Sequence, residues 1–276
     1  MQILAPEAGF GSIGMHMLGE SLFGLSLFAA DLIYSRIAHN VPTYRRFRLG
    51  ILVIGWFLVN LISFFWFAYW QLVLLLTSIA LAVVIFRELD QFWRIGLVGA
   101  DREVKSGIDY VKSLSMCKNS IRFLGIGASK LTENQKQFRE AIDRCHQTAP
   151  VRLLLSRQDA PELAKFARMA GRGEDSYQNK VSESLRFIAS LQQHERKNIE
   201  VRFYRQFPAF RLMFIDESIC LMSYYIMGIG DGSNIPQLHI VKTPGSKNTE
   251  ALYFGFAAYF EKIWDDSQPW NPTEYL

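Results

Sequence analysis

From Leu49 to Phe86 the chain contains no Asp, Glu, His, Lys or Arg, and this uncharged block constrains the fold more than any other feature. A bilayer core about 30 Å thick takes roughly 20 helical residues. The block is nearly twice that length and too apolar for a soluble helix. It reads as two membrane helices in a tight hairpin, spans 49–67 and 70–86, turning near Phe67 to Gln71, where interface-seeking aromatic residues cluster. A less pure apolar stretch, about residues 8–34, precedes it. That stretch contains His16 and Glu20 and lacks the basic start and small-residue cleavage site of a secretory signal, so it reads as a retained third span.

Charge orients the spans. The loop after the first one carries Arg36, His39, Arg45, Arg46 and Arg48, which the positive-inside rule places in the cytoplasm. The N-terminus is then outside, and Arg87, Arg94 and Arg102 emerge on the cytoplasmic side. All Lys and Arg other than Arg36, Arg45, Arg46 and Arg48 lie from Arg87 onward, interleaved with acids, so that part should fold in water. The expected organisation is a membrane module over 1–87, a connecting helix over 88–118 and a cytosolic α/β domain over 119–276. A net charge of +4 is too slight to indicate double-stranded nucleic acid and is ordinary beside acidic lipid.

Within the first span, Ser12, His16, Glu20 and Gly24 are four apart and share one helical face. Ionisable groups inside a membrane face a bundle interior or a wet cavity, so Ser12, His16 and Glu20, with Asn60 of the second span, are candidate pore residues. The alternative is structural: His16 and Glu20 lie shallow in the outer interface, or pair with each other and with Asn60 or Ser63. Gly11, Gly14, Gly19 and Gly24 supply small surfaces for close helix approach.

Beyond Arg87, Leu97, Val104, Ile108, Val111 and Leu114 have helical spacing, which predicts the connecting helix. Strands are predicted at Ile121 to Ile126, Val151 to Leu155, Ile199 to Tyr204 and Leu238 to Val241. Two apolar runs, Phe210 to Ile215 and Ile219 to Ser223, flank Asp216-Glu217-Ser218 as a hairpin. Helices are predicted over Glu133 to Gln147, from Pro161 to Met169, over Asn179 to Lys197 and over Thr249 to Trp264. This alternation with a late hairpin predicts an α/β fold with a mixed sheet. Gly228, Gly230 and Gly232 are not followed by the helix a phosphate loop requires, so they read as a loop between strands.

The run from Ala209 through Arg211 to Asp216, followed by Ser223, resembles the phospholipase D superfamily segment, whose active form is HxKxxxxD with a downstream Ser or Thr and Asn. The resemblance covers roughly Ser120 to Asp266 and implies a phospholipase D-like cytosolic fold. Ala209 replaces the nucleophilic His, Arg211 replaces the Lys, and Ser223 lacks a neighbouring Asn; only Asp216 matches. Covalent phosphodiester chemistry therefore does not carry over, and no catalytic residue is assigned. His239 and Lys242 are spaced HxxK and do not restore the motif. The family's phosphate cradle does carry over as an expectation. A guanidinium is a good bidentate phosphate ligand, and Ser129, Ser156, Arg157, Arg205, Ser223 and Lys242 are candidates to gather around Arg211, since α/β sheets bind ligands at the carboxyl ends of their strands. The alternative pairs Arg211 with Asp216 or Glu217.

Cys117, Cys145 and Cys220 are far apart in sequence and lack metal-ligand spacing, which suggests a reducing compartment and no metal; no cofactor is implied. The layout resembles the membrane effectors of bacterial antiphage defence. It points to an inner-membrane protein whose cytosolic domain detects a nucleotide or other phosphorylated ligand, or a protein trigger, and whose spans permeabilise the bilayer as a homo-oligomer. The alternatives are a phospholipase D-like phosphodiesterase or phospholipid-modifying enzyme, and a membrane-anchored scaffold binding partners through Trp264, Trp270 and the C-terminal tail.

Overall fold

A computed structural model describes residues 42–66, 70–145, 149–225, 234–243 and 251–275, with side chains of the first helix described over 52–64. The expected span 8–34 with Ser12, His16 and Glu20, the turn residues 67–69 and the glycine-rich segment 228–232 lie outside the described residues. The chain divides into two compact units, residues 1–90 and 91–276.

In the first unit, helices occupy Pro42–Trp66 and Trp70–Arg94. Pro42 stands at the first helical position, where its missing N–H costs nothing. Arg45, Arg46 and Arg48 thus belong to the opening turns of a helix rather than to a loop. Among the described residues one helix, Trp70–Arg94, is long and apolar enough to cross a membrane; the other has a shorter described apolar stretch, Leu52–Phe64. Leu75, Leu76, Ile79, Val83 and Phe86 are exposed along the long helix, as lipid-facing residues would be. Asn60 Nδ2 donates to Trp56 O (2.8 Å) and Thr77 Oγ1 (3.2 Å), so it ties the two helices together.

The second unit is built on one eight-stranded sheet, ordered β1-β7-β6-β5-β2-β3-β4-β8. The strands are β1 (Leu97–Asp101), β2 (Ile121–Leu124), β3 (Val151–Leu155), β4 (Ile199–Phe203), β5 (Phe210–Ile215), β6 (Ile219–Tyr224), β7 (Gln237–Val241) and β8 (Gln268–Pro269). Strands β2, β3 and β4 are parallel and all other pairings are antiparallel. The mixed sheet expected from the sequence is therefore present.

Period-two alternation divides the strand residues between two cores. Phe123, Leu153, Leu155, Met213 and Leu221 face helices Tyr110–Met116, Gln135–Cys145 and Ser176–His194. Leu124, Leu154, Leu212, Phe214 and Ile240 face helix Leu252–Asp265 through Tyr253, Phe260 and Trp264. Trp264 and Trp270 are buried. They complete the domain interior, which removes them as the partner surface of the scaffold alternative.

The connecting helix is a correction. Gly96, at φ +84°, ends the Trp70–Arg94 helix, and a Cβ there would lie 2.5 Å from Val241 O. The chain then enters β1, which pairs with β7. A short 3-10 turn, Val104–Ser106, follows, and the helix restarts at Tyr110 once the Asp109 side chain accepts Lys112 N–H. The helical spacing of Leu97 to Leu114 was thus coincidental: strand pairing with a distant segment overrides local periodicity.

Candidate functional site

Because β5 runs antiparallel to β2, its first residues lie at the carboxyl end of β2, where Leu124 pairs with Leu212. Arg211 sits there, on the Met213 and Ile215 face, and is buried. Its partner in the β5–β6 ladder is Ser223. Arg211 Nη2 donates to Ser223 Oγ (2.9 Å) and Nη1 donates to Tyr110 Oη (2.6 Å), with the guanidinium 5.4 Å from the Tyr110 ring centre. The Ser223 hydroxyl, by accepting from a cation, keeps its own proton to donate onward. The arrangement relays positive charge into hydroxyl donors.

Two further tyrosines stand close by. Tyr225 follows β6, its N–H pairing with Ala209 O, and Tyr204 follows β4. Phe207 bridges them, 5.2 Å from the Tyr225 ring and 6.1 Å from the Tyr204 ring. The hydroxyl oxygens of both tyrosines are enclosed and make no well-formed hydrogen bond among the described residues, although the Ser156 hydroxyl interacts with Tyr204 and the Ile126 backbone with Tyr225. Burial pushes the Tyr204 phenol well above the usual tyrosine value, with Tyr225 adding to the rise. Burial also pushes Tyr225 up, while Arg211 nearby acts the other way. Enclosed polar groups are normally well satisfied, so the poorly bonded Tyr225 hydroxyl, near enough to the buried Arg211 to feel its charge, with that of Tyr204 beyond Phe207, suits a place that a polar ligand fits. Tyr259 Oη completes the rim by accepting Ala209 N–H (3.2 Å).

The expected cradle is brought together only in part. Arg211 and Ser223 are in direct contact. Ser156 and Arg157 follow β3, Arg205 follows β4, and Ser129 begins a four-residue helix after β2, so all four lie at the carboxyl end of the parallel strands. Ser156 is buried and donates to Arg157 O (3.1 Å). Arg157 turns to Asp159 in a bidentate pair (2.9 and 2.8 Å), and Arg205 is exposed. Lys242 is at the opposite end. It follows β7, whose Val241 pairs with Ile219 at the start of β6, and its amine lies 3.8 Å from Glu217.

The alternative pairing of Arg211 with Asp216 also fails on geometry. Five residue steps along β5 separate them by roughly 17 Å. Asp216, at φ +53°, instead accepts the backbone N–H groups of Lys118 (3.1 Å), Asn119 (2.7 Å) and Ser120 (3.0 Å) through Oδ1. The residue that matches the superfamily segment therefore pins the turn entering β2.

A second polar cluster escaped the sequence reading. His239 Nε2 lies 2.7 Å from Asp101 Oδ2, which also accepts Ile108 N–H (2.8 Å). Burial alone would raise the Asp101 carboxyl, but the Ile108 N–H and His239 overcome it and hold it below the usual carboxylate value. Gly107 makes room for the cluster: a Cβ there would strike the Asp101 carboxylate. The cluster clamps β1 to β7 and to the turn before Tyr110.

No protein-family model matches the chain, and no curated protein matches it either. Solved structures similar to it include a phospholipase D family member, Nuc from Salmonella typhimurium, at 14% identity over 59% of this chain and 88% of that one, with a TM-score of 0.35. NucT from Helicobacter pylori shares 9% over 58% of this chain and 88% of that one, with a TM-score of 0.36. The phosphatidylserine synthase of Haemophilus influenzae Rd KW20 shares 9% over 63% of this chain and 40% of that one, with a TM-score of 0.42. With such identities and scores, these likenesses do not bear on the chemistry at Arg211.

Proposed function

We propose that this chain is a bacterial inner-membrane effector whose cytosolic domain, on a phospholipase D-like frame, binds a phosphate-bearing ligand at Arg211. Ligand binding is passed to oligomeric membrane spans that permeabilise the bilayer, as in antiphage defence. The observation that carries the binding step is the buried Arg211 donating to Tyr110 and Ser223, near the enclosed and poorly bonded hydroxyl of Tyr225. Binding rather than turnover is favoured because Ala209 stands where the superfamily nucleophile would be. Membrane residence is supported by the exposed apolar helix Trp70–Arg94, and the permeabilising role by the four-residue spacing of Ser12, His16 and Glu20 in the sequence.

The binding step is tested by calorimetric titration of the full chain in detergent with inorganic pyrophosphate. Hydrogen bonds to charged groups contribute about 1.5–3 kcal/mol, so Arg211→Ala should weaken binding roughly 10- to 100-fold. Arg211→Lys should restore part of it, because an ammonium keeps the charge but loses the fork. Equal affinity of the wild type and Arg211→Ala refutes the site, and hydrolysis of a phosphodiester by the purified chain refutes the non-enzymatic reading. The membrane step is tested separately by expression in cells, which should dissipate the membrane potential. Replacement of both His16 and Glu20 should alter that effect at unchanged expression.

A further inference from the structure

Two of the three cysteines meet at the other end of the sheet. Cys117 caps helix Tyr110–Met116, and Cys145 is the last residue of helix Gln135–Cys145. Their Sγ atoms are 2.8 Å apart and both residues are fully buried, although far apart in sequence. A covalent S–S bond is about 2.05 Å long, so a movement of less than an ångström joins them. The approach is braced from both sides. Arg144 donates from Nε to Cys117 O (2.8 Å) and from Nη2 to Leu114 O (2.6 Å), fastening one helix end to the other. Asp216 fixes the residues after Cys117 by accepting their N–H groups and comes within 3.9 Å of the Cys117 sulfur. Cys220 lies in the opposite core, beneath helix Leu252–Asp265.

We infer that Cys117 and Cys145 are a modification site that closes to an intrachain disulfide on reaction with hydrogen peroxide. The Cys117 sulfur attacks one peroxide oxygen, the O–O bond breaks, and the departing hydroxide takes a proton to leave as water, giving a sulfenic acid. The Cys145 sulfur attacks that sulfur, the S–O bond breaks, and the departing hydroxide takes the Cys145 proton as a second water. Two thiols are oxidised by two electrons and one peroxide is reduced. Cys117 is the attacking group because it directly precedes the exposed Lys118 and Asn119, and the hydrogen bond it shares with Cys145 holds its thiol below the usual value against burial and the nearby Asp216. Burial likewise pushes Cys220 up, which makes it an internal control. Peroxide reaches the pair from the surface at the exposed Lys118 and Asn119, which requires their bonds to Asp216 to open. The bond staples the helix bearing Tyr110, an Arg211 partner, to helix Gln135–Cys145.

The reduced full chain in detergent is exposed to hydrogen peroxide, denatured, alkylated and mapped by mass spectrometry. The expected product carries alkylated Cys220 alone and a peptide joining Cys117 to Cys145, reversed by dithiothreitol. Three alkylated cysteines, a bond to Cys220, a bond between chains, or an overoxidised Cys117 beside alkylated Cys145 would each overturn the inference. In Cys145→Ser the Cys117 sulfenic acid should persist and be captured by dimedone. The wild-type map decides the question even if that variant fails to fold.

Discussion

Replacing Tyr225 by phenylalanine removes one enclosed oxygen and leaves the ring that packs 5.2 Å from Phe207. In the ligand-free chain the hydroxyl has lost water and, among the described residues, gained only a poorly aligned approach to the Ile126 backbone, an arrangement that costs about 1–3 kcal/mol. Because the ring and its contacts stay, Tyr225→Phe should stabilise the unliganded protein by about that amount. For a domain of this size each kcal/mol corresponds to about 2–4 °C in melting temperature. The measurement is a thermal melt followed by intrinsic fluorescence, on the full chain in detergent at neutral pH without phosphate. The same variant should bind pyrophosphate more weakly than wild type by roughly tenfold, the loss of about one hydrogen bond to a charged acceptor. A lower melting temperature would mean that the Ile126 backbone or an enclosed water already satisfies the hydroxyl. A higher one with unchanged pyrophosphate affinity would mean that no ligand reaches it. Either result refutes the account of the site.

The same tyrosines set an alkaline limit. Tyr204 and Tyr225 are held above the ordinary value of 10.0 in the fold, so their contribution is complete below pH 10 and is lost as pH rises, when only the unfolded chain releases the protons. Urea melts should show that loss, with a shallower slope in Tyr225→Phe. Asp101 behaves in the opposite sense: its carboxyl is held below 3.8, so its stabilisation is present above that pH and lost as pH falls further. Asp101→Asn should reduce stability at neutral pH and flatten this acid-side loss in denaturant melts. In the other core, Phe214→Ala should cost about 3–5 kcal/mol by chemical denaturation, since Phe214 is fully buried against Tyr253 and Phe260. Thr77→Val removes the Asn60 contact and should loosen the two N-terminal helices by only about 0.6 kcal/mol in a detergent unfolding assay.

Much of the secondary structure was legible because its signals are local. Strand β3 and helix Pro161–Met169 have the bounds that periodicity and a proline at the first turn indicate, and the β5–β6 hairpin follows from two apolar runs around Asp216 to Ser218. Strand β1 was hidden because Leu97 and Val104 fit helical spacing, and its pairing partner β7 lies far along the chain. Arg211 was visible as a cation in an apolar strand. Tyr110 was not, being 101 positions away, and nothing local distinguishes Tyr204 or Tyr225 from ordinary core aromatics.

The amino-acid sequence alone determined that an uncharged block nearly two membrane-span lengths long runs from Leu49 to Phe86, and that charge returns at Arg87. It also determined that Ala209 stands where the resemblance to the phospholipase D segment would put a His, because residue identity requires no folding. Tertiary structure decided which ends of the strands coincide. Antiparallel pairing carries Ser223 to Arg211 and sends Lys242 to the far edge, and helix packing brings Cys117 to Cys145. Such contacts depend on strand order and register, which arise from burying both sheet faces at once and leave no periodic trace in the residues that make them.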